Sequence, residues 1–184
     1  MNEAGILRDI LRVDHAGEVG AIRIYRAQIA IARHRAPDIV PVLLESLGDE
    51  VGHRDFFAAS MNRRGIVPCH MLGLWWSGGA ILGAVTALLG RDAILTCTEA
   101  VERTVHRHMN DQILWLASRD ADLADGLAAI RDQEVGHLSA AQAAGGRRPR
   151  WLDGTIAAAT EMLVWMSTYG ASARLAREVR SSCR

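Results

Sequence analysis

The stretches Asp49-Glu50-Val51-Gly52-His53 and Gln133-Glu134-Val135-Gly136-His137 follow one pentapeptide pattern, and this repeat is the strongest indication of the fold. The two copies lie 84 residues apart, and each contains a Glu-x-x-His pair. Residues at positions i and i+3 share one face of an α-helix, so a carboxylate and an imidazole at this spacing can reach the same ion. The repeat therefore predicts two similar helices that each offer a pair of metal ligands.

The same offset relates two further glutamates, since adding 84 to Glu18 gives Glu102. Two helices with Glu-x-x-His and two that each give one Glu form the ligand set of the ferritin-like di-iron carboxylate bundles. Oxygen and imidazole donors without thiolate suit iron or manganese better than a structural zinc. We therefore predict a dinuclear site. Its six expected ligands are Glu18, Glu50, His53, Glu102, Glu134 and His137.

The neighbours of these residues at helical spacing are apolar, which predicts that the ligands face inward. Leu43, Leu47 and Phe57 share a helix face with Glu50 in this way. A carboxylate on a buried stripe is unfavourable unless it is paired, hydrogen-bonded or bound to metal. The four glutamates should therefore share one partner. The alternative is that they are solvated groups of a duplicated but inert bundle.

Composition indicates one globular domain, here residues 1–184. The chain has 184 residues, 49% of them hydrophobic, and a formal net charge of zero, which gives no sign of nucleic-acid binding. Cys69, Cys97 and Cys183 form no Cys-x-x-Cys pair and are odd in number, which argues for a reducing compartment. The first twenty residues contain charged groups and no apolar stretch, so we expect no secretory signal.

Proline and glycine positions predict the helix boundaries. The first helix should run from Gly5 to Arg35, and Asp38 should cap a second helix that has Pro41 in its first turn and ends near Arg64. A third helix should cover residues 80–119, a fourth 121–144, and a fifth 149–180. The predicted fold is thus all-α: a ferritin-like four-helix bundle of two duplicated hairpins (1–64 and 91–145), with an apolar crossover (65–90) and a C-terminal helix.

The crossover contains 26 consecutive residues, 65–90, without Asp, Glu, Lys or Arg. Its length allows a transmembrane helix, but a span would separate the two ligand sets and make a shared metal site impossible. Glycines and Pro68 also favour a bent element, so we interpret the segment as embedded in a membrane surface or lining a groove. The fifth helix contains tryptophans flanked by arginines. This pattern is compatible with a helix at a membrane interface and, about equally, with a helix packed on the bundle.

Several motifs of the chain resemble the Coq7 family, the demethoxyubiquinol hydroxylases of ubiquinone biosynthesis. They are Arg12-Val13-Asp14-His15-Ala16-Gly17-Glu18, Glu50-x-x-His53, Val101-Glu102, Asn110-Asp111-Gln112-Ile113 and Arg131-Asp132-Gln133-Glu134-Val135-Gly136-His137. The resemblance covers nearly the whole chain. The chain departs from the family at Met109, where eukaryotic relatives tend to have Tyr after a His pair.

The resemblance implies a ferritin-like di-iron monooxygenase that uses O2 to hydroxylate the ring of a polyprenylated demethoxy-benzoquinol. It implies the same six iron ligands, two iron ions per chain with Glu50 and Glu134 bridging them, and NADH as ultimate electron donor. It also implies a peripheral membrane protein on the cytoplasmic face of the cell membrane, or the matrix face in a mitochondrion. The implied partners are a Coq9-type lipid-binding protein and further copies of the chain.

The residues alone leave other interpretations of the site and of the function open. Glu99 and His106 share a face with Glu102 and are alternative ligands or neighbours that tune the site. Asp14 and Asp132 are candidates to orient a ligating imidazole. An iron-storage or peroxide-reducing protein of the ferritin or rubrerythrin type would use a similar cluster, although the Cys-x-x-Cys pair usual in rubrerythrin is missing. A membrane-surface scaffold without enzymatic activity is the third alternative.

Overall fold

The computed structural model describes residues 3–182, and every regular element in that range is helical. The prediction of an all-α bundle is confirmed. The helices are α1 (Glu3–Arg35), α2 (Val40–Arg63), α3 (Leu72–Leu89), α4 (Arg91–Leu116), α5 (Ala121–Ala143), α6 (Arg150–Ser167) and α7 (Ala171–Ser182), with a short 3-10 turn at Pro37–Ile39 before α2.

Helices α1, α2, α4 and α5 enclose two apolar clusters at opposite ends of the bundle. One cluster joins the start of α1 and the end of α2 to Leu116 and Leu127. The other joins the end of α1 and the start of α2 to Ile94 and Ala141. Each cluster combines the start of one helix with the end of the next, which shows that α1 and α2 run antiparallel, and likewise α4 and α5. The six predicted ligands lie at mid-helix positions between the two clusters.

The third predicted helix, residues 80–119, is wrong in its extent, because the structure divides this region at Gly90. That glycine has φ 105°, a conformation that residues with a Cβ rarely adopt, and it ends α3 and precedes α4. The apolar segment is therefore a helix of its own. It begins at Leu72, well before the expected start, and continues without interruption to Leu89.

The C-terminal segment is two helices, α6 and α7, where one was expected over 149–180. Tyr169 (φ 49°) and Gly170 (φ 74°) both have left-handed backbone conformations, and the chain turns at these two residues between α6 and α7. Helix α6 packs on α4, and its Leu152 and Ile156 belong to the same buried apolar cluster as Ala93 and Cys97. Cys69 and Cys97 are buried free thiols, and Cys183 lies outside the described residues.

The start of α2 also differs from the expectation. Asp38 does not cap the helix, and its carboxylate instead accepts a hydrogen bond from Arg91 at 2.7 Å. Pro41 lies in the first turn of α2, as expected, where its missing N–H leaves no helical hydrogen bond unmade.

Helix α3 packs parallel to α1 at very short range. A Cβ at Gly79 would meet the backbone of Gly20, and one at Gly83 would meet the backbone of Ile24. The Gln28 side chain also donates a hydrogen bond to Thr86 at 3.0 Å. Among the described helices, α3 is the one that is long and apolar enough to cross a membrane, by length and composition only.

Candidate metal centre

The four bundle helices bring all six predicted ligand residues together. Among the described residues, two groups of four have ligand atoms that all lie within 4.8 Å of one another. The groups are Glu18, Glu50, His53 and Glu134, and Glu50, Glu102, Glu134 and His137. Glu50 and Glu134 belong to both groups, so the arrangement matches two adjacent ion positions that share two carboxylates.

All six side chains are buried, and none is more than 5% exposed. Each hairpin contributes one glutamate from its first helix and one Glu-x-x-His pair from its second. His53 Nδ1 lies 3.1 Å from Glu134 Oε1, and His137 Nδ1 lies 3.0 Å from Glu134 Oε2. Both imidazoles therefore turn the same ring nitrogen towards the carboxylates.

The first residue of each pentapeptide contacts the histidine of the other pentapeptide. His53 Nε2 lies 2.9 Å from Gln133 Oε1, and His137 Nε2 lies 3.0 Å from Asp49 Oδ2. Both oxygens accept hydrogen bonds, so each Nε2 carries the proton and each Nδ1 is left free to bind a cation. The two contacts cross between the hairpins and fix both rings.

Electrostatics within the cluster favour a bound cation. Burial raises the pKa of Glu50 well above its usual value, and the charges of Glu134 and Glu18 raise it further. Burial likewise raises the pKa of Glu102, and the charge of Glu134 adds to this effect. Carboxylates gathered in this way repel one another unless protons or cations lie between them.

The two histidines supply part of that positive charge. Burial would lower the pKa of His53, but contacts with Glu134 and Glu18 outweigh it and raise the pKa to about 10. Burial would raise the pKa of Glu134, but the hydrogen bond from His137 and the close contact with the His53 imidazole hold it below its usual value. Metal ions would replace these protons, since carboxylates and neutral imidazoles are the metal-binding forms.

The donor set fits two metal ions of the iron or manganese type. It consists of four carboxylates and two imidazoles with no thiolate, which suits these metals. His53 Nδ1 is buried and has no hydrogen-bond partner within residues 3–182, although it faces the carboxylates. A ligating nitrogen would be expected to lack one.

The sequence also suggests four other residues as additional ligands or as partners of the histidines, and the structure places none of them in the ligand groups. Glu99 accepts a hydrogen bond from Arg148, and neither ligand group within the described part of the chain includes Glu99 or His106. The expectation that Asp14 and Asp132 orient an imidazole is wrong. Asp14 accepts a hydrogen bond from Gln112, and Asp132 is exposed and pairs with Arg131.

Sequence reasoning missed three residues that contact the cluster. Asp49 and Gln133 open the two quoted pentapeptides, and the 84-residue offset that pairs them was the available signal. Tyr25 is buried, and its hydroxyl donates a hydrogen bond of 2.9 Å to Glu102 Oε1. Its signal was its place seven residues after Glu18, on the same face of α1.

A cavity of about 240 Å³ opens onto the cluster. Its wall comes mainly from α1, α3, α4 and α6, and it is largely apolar, with Trp75, Leu82 and Leu163 among the lining residues. Glu18, Glu50, Glu102 and Glu134 form part of the lining. A small molecule in this cavity would therefore lie beside the carboxylates, in an environment with little water.

The chain matches one protein family and several characterised relatives. Residues 5–167 match the model of the family described as "Ubiquinone biosynthesis protein COQ7". The 3-demethoxyubiquinol 3-hydroxylase of Rhodospirillum rubrum is 35% identical over 167 residues, which are 89% of this chain and 78% of that protein.

Two mitochondrial proteins are similar at the same level. The 5-demethoxyubiquinone hydroxylase of Saccharomyces cerevisiae is 34% identical over 154 residues, 76% of this chain and 66% of the yeast protein. The NADPH-dependent 3-demethoxyubiquinone 3-hydroxylase of Rattus norvegicus is 38% identical over 132 residues, 70% of this chain and 60% of the rat protein. The buried carboxylate and histidine cluster and these matches lead to one assignment: the chain belongs to the COQ7 family of hydroxylating enzymes.

Proposed function

We propose that this chain is a di-iron monooxygenase that uses O2 to hydroxylate the ring of a polyprenylated demethoxy-benzoquinol in ubiquinone biosynthesis. The observation that carries the proposal is the pair of buried ligand groups opening onto an apolar cavity. A ferritin-type store or a scaffold would not need this combination. The names of the relatives support the substrate class.

The six ligand residues would hold the iron, Glu18 and His53 on one side and Glu102 and His137 on the other, with Glu50 and Glu134 shared. Bound iron would supply the redox chemistry that activates O2 for a hydroxylation. Asp49 and Gln133 keep both histidines in the tautomer that leaves Nδ1 free. Tyr25 fixes one oxygen of Glu102, so its carboxylate has a defined orientation before substrate arrives.

The cavity would orient the substrate. Its apolar walls from α3 and α6 suit an isoprenoid tail, and the ring would lie at the inner end, beside the glutamates. The same walls exclude water from the reacting ring. The sequence has no Gly-x-Gly-x-x-Gly motif of a nicotinamide domain, so the electrons would come from an external donor such as NADH. The rat relative is named as NADPH-dependent.

Exposed apolar side chains would place this cavity at a membrane, where such a substrate dissolves. Trp76, Ile81 and Leu88 are exposed on α3, and Trp151 and Trp165 are exposed on α6. Tryptophan and arginine suit the membrane interface, and Arg23 lies over the ring of Trp76, 4.0 Å from its centroid. The proposed location is the cytoplasmic or matrix face. A Coq9-type partner and a homo-oligomer remain predictions from the resemblance.

The test is an oxygen-labelling experiment. Protein reconstituted with ferrous iron receives a short-chain demethoxy-benzoquinol, a chemical reductant and ¹⁸O2, and the product is analysed by mass spectrometry. The proposal predicts a hydroxylated ring carrying one labelled oxygen. Glu134→Ala, which removes a residue of both ligand groups, should give no product. Unlabelled product, or the same labelled yield from Glu134→Ala, would contradict the proposal.

A further inference from the structure

Two polar side chains of the cavity wall have a role that the metal cluster does not explain. Asp14 on α1 and Gln112 on α4 both line the cavity. Asp14 lies one helical turn before Glu18, which is about 6 Å along the axis of an ideal helix. The amide Nε2 of Gln112 donates a hydrogen bond of 2.9 Å to Asp14 Oδ1.

Each group of this pair retains one oxygen with unused hydrogen-bonding capacity. Asp14 Oδ2 and Gln112 Oε1 are both buried and have no hydrogen-bond partner among residues 3–182. Gln112 as a whole is 4% exposed, so bulk water does not solvate its amide. Buried polar atoms are normally paired. Both residues line the apolar cavity, so a small rotation of their side chains would let a ligand there pair with the two oxygens.

The two oxygens differ in what they can offer. Burial raises the pKa of Asp14 to about 8; the hydrogen bond from Gln112 opposes this effect and the charge of Glu18 adds to it. The carboxyl is therefore mostly protonated at neutral pH and can donate a hydrogen bond. The amide oxygen of Gln112 can only accept one. The hydrogen-bonded pair thus combines one donor and one acceptor.

We propose that Asp14 and Gln112 together bind a ring hydroxyl of the substrate and thereby select the hydroquinone form over the quinone. A hydroxyl accepts a hydrogen bond and donates one, so it satisfies both free oxygens. A quinone carbonyl only accepts, so it leaves Gln112 Oε1 buried without a partner. The inference rests on the proposed function for the identity of the substrate, and it goes beyond it in naming what recognises the ring's oxidation state.

Anaerobic titration calorimetry measures this selection directly. Protein loaded with Zn²⁺ is titrated with a short-chain methoxy-methyl benzoquinol and with the matching quinone, because zinc exchanges electrons with neither. We expect the quinol to bind about tenfold more tightly, since the quinone leaves one buried acceptor unsatisfied. Equal affinity for the two forms would overturn the proposal.

Three variants assign the roles of the two residues. Gln112→Met removes the acceptor and should weaken quinol binding about tenfold while leaving quinone binding unchanged. Asp14→Leu removes the donor and should weaken both ligands. Asp14→Asn keeps a neutral donor and should keep the preference. Wild-type affinities in the first two variants, or a lost preference in Asp14→Asn, would overturn the assignment.

A matched control is Thr155→Val, on α6 but not among the residues that line the cavity. The Thr155 hydroxyl already donates to the backbone oxygen of Trp151, so its removal should leave both affinities unchanged. Metal content and thermal melting identify variants that fail to fold. Kinetics of the iron-loaded enzyme add a second readout, since Gln112→Met should raise KM for the quinol about tenfold with little change in kcat.

The outcomes separate this inference from the proposed function. If the protein hydroxylates no quinol but binds quinol in preference to quinone through these residues, the proposed function fails and the inference stands. If it hydroxylates the quinol and the variants leave both affinities and KM unchanged, the inference fails and the proposed function stands.

Discussion

At the scale of single residues, the two halves of the site are not equivalent. A carboxylate, Asp49, accepts the hydrogen bond from His137, whereas an amide, Gln133, accepts the one from His53. A carboxylate partner makes an imidazole a more basic ligand than an amide partner does. The two metal positions should therefore differ in affinity, with the position of His137 the tighter one.

Removing the carboxylate tests this difference. We predict that Asp49→Ala lowers the affinity for one of two metal ions by about 10- to 100-fold and leaves the other nearly unchanged. Competition with a chelator, monitored for each binding step, measures the effect. The matched control is Asp132→Ala, whose carboxylate is 70% exposed and pairs with Arg131. Equal losses in the two variants would contradict the assignment.

Asp14 should also give the free energy of unfolding a specific pH dependence. Its pKa is raised to about 8 from 3.8, so the folded state binds its proton more tightly than the unfolded state does. The stability linked to this proton is complete below pH 3.8 and is lost as the pH rises through about 8. Asp14→Asn cannot lose a proton there and should keep its stability.

Denaturant titrations at several pH values measure this effect. The two proteins should have similar pH dependence below about pH 4, and Asp14→Asn should become more stable than wild type by about 5 to 6 kcal/mol at pH 9. Asp132→Asn serves as the control at an exposed position. A difference between Asp14→Asn and wild type that does not change between pH 4 and pH 9 would show that the Asp14 pKa is not raised.

At the scale of elements, the contact between α1 and α3 depends on glycine. A Cβ at Gly83 would meet the backbone oxygen of Ile24, which cannot move without shifting α1. At Gly78, in the same helix, a Cβ would meet no described atom within 4 Å. These two glycines form a matched pair for testing the packing.

We predict that Gly83→Ala destabilises the fold by about 1 to 3 kcal/mol, because the added methyl group forces the two helices apart. Gly78→Ala should be neutral or stabilise by up to about 1 kcal/mol, since alanine favours a helix. Thermal or denaturant unfolding measures both. A Gly83→Ala protein as stable as wild type would show that the helices are not in this close contact.

The sequence predicted elements well where a periodic signal was strong. The bounds of α1, α2 and α5 agree with it to within about two residues, because apolar periodicity and proline positions mark them. It did not predict the break at Gly90, since a lone glycine inside an apolar stretch resembles a tolerated helix residue. The turn at Tyr169 was also missed, because a tyrosine with positive φ has no sequence signature.

For the site as well, the sequence predicts only the features that leave a visible pattern. The 84-residue offset found the six clustered residues because a repeat is visible in the sequence alone. Proximity in sequence suggests Asp14 and Asp132 as partners of the ligating histidines. In the structure the partners are instead Asp49 for His137 and Gln133 for His53, so each histidine is held by a residue of the other hairpin. Contacts between helices depend on helix rotation, which spacing along one helix does not fix.

At the scale of the whole molecule, the exposed apolar residues lie on helices that also form the cavity wall. Ile81 and Leu88 on α3 are 64% and 56% exposed, while Leu82 on the same helix lines the cavity. A membrane in contact with the exposed face would be separated from the cavity by the thickness of one helix.

Co-sedimentation with liposomes tests this contact. We predict that the double variant Ile81→Ser and Leu88→Ser binds anionic liposomes at least about fivefold more weakly than wild type, because apolar area drives interfacial binding. A control replaces Leu114, an exposed residue of α4, with Ser. Equal binding of all three proteins would show that this face of α3 does not meet the membrane.

Metal analysis tests whether the bundle holds two iron ions between its duplicated hairpins. Elemental analysis of anaerobically purified protein should give two irons per chain, and folded Glu134→Ala should lose both because Glu134 belongs to both ligand groups. One zinc or no metal in the wild type, or two irons in Glu134→Ala, would contradict the account.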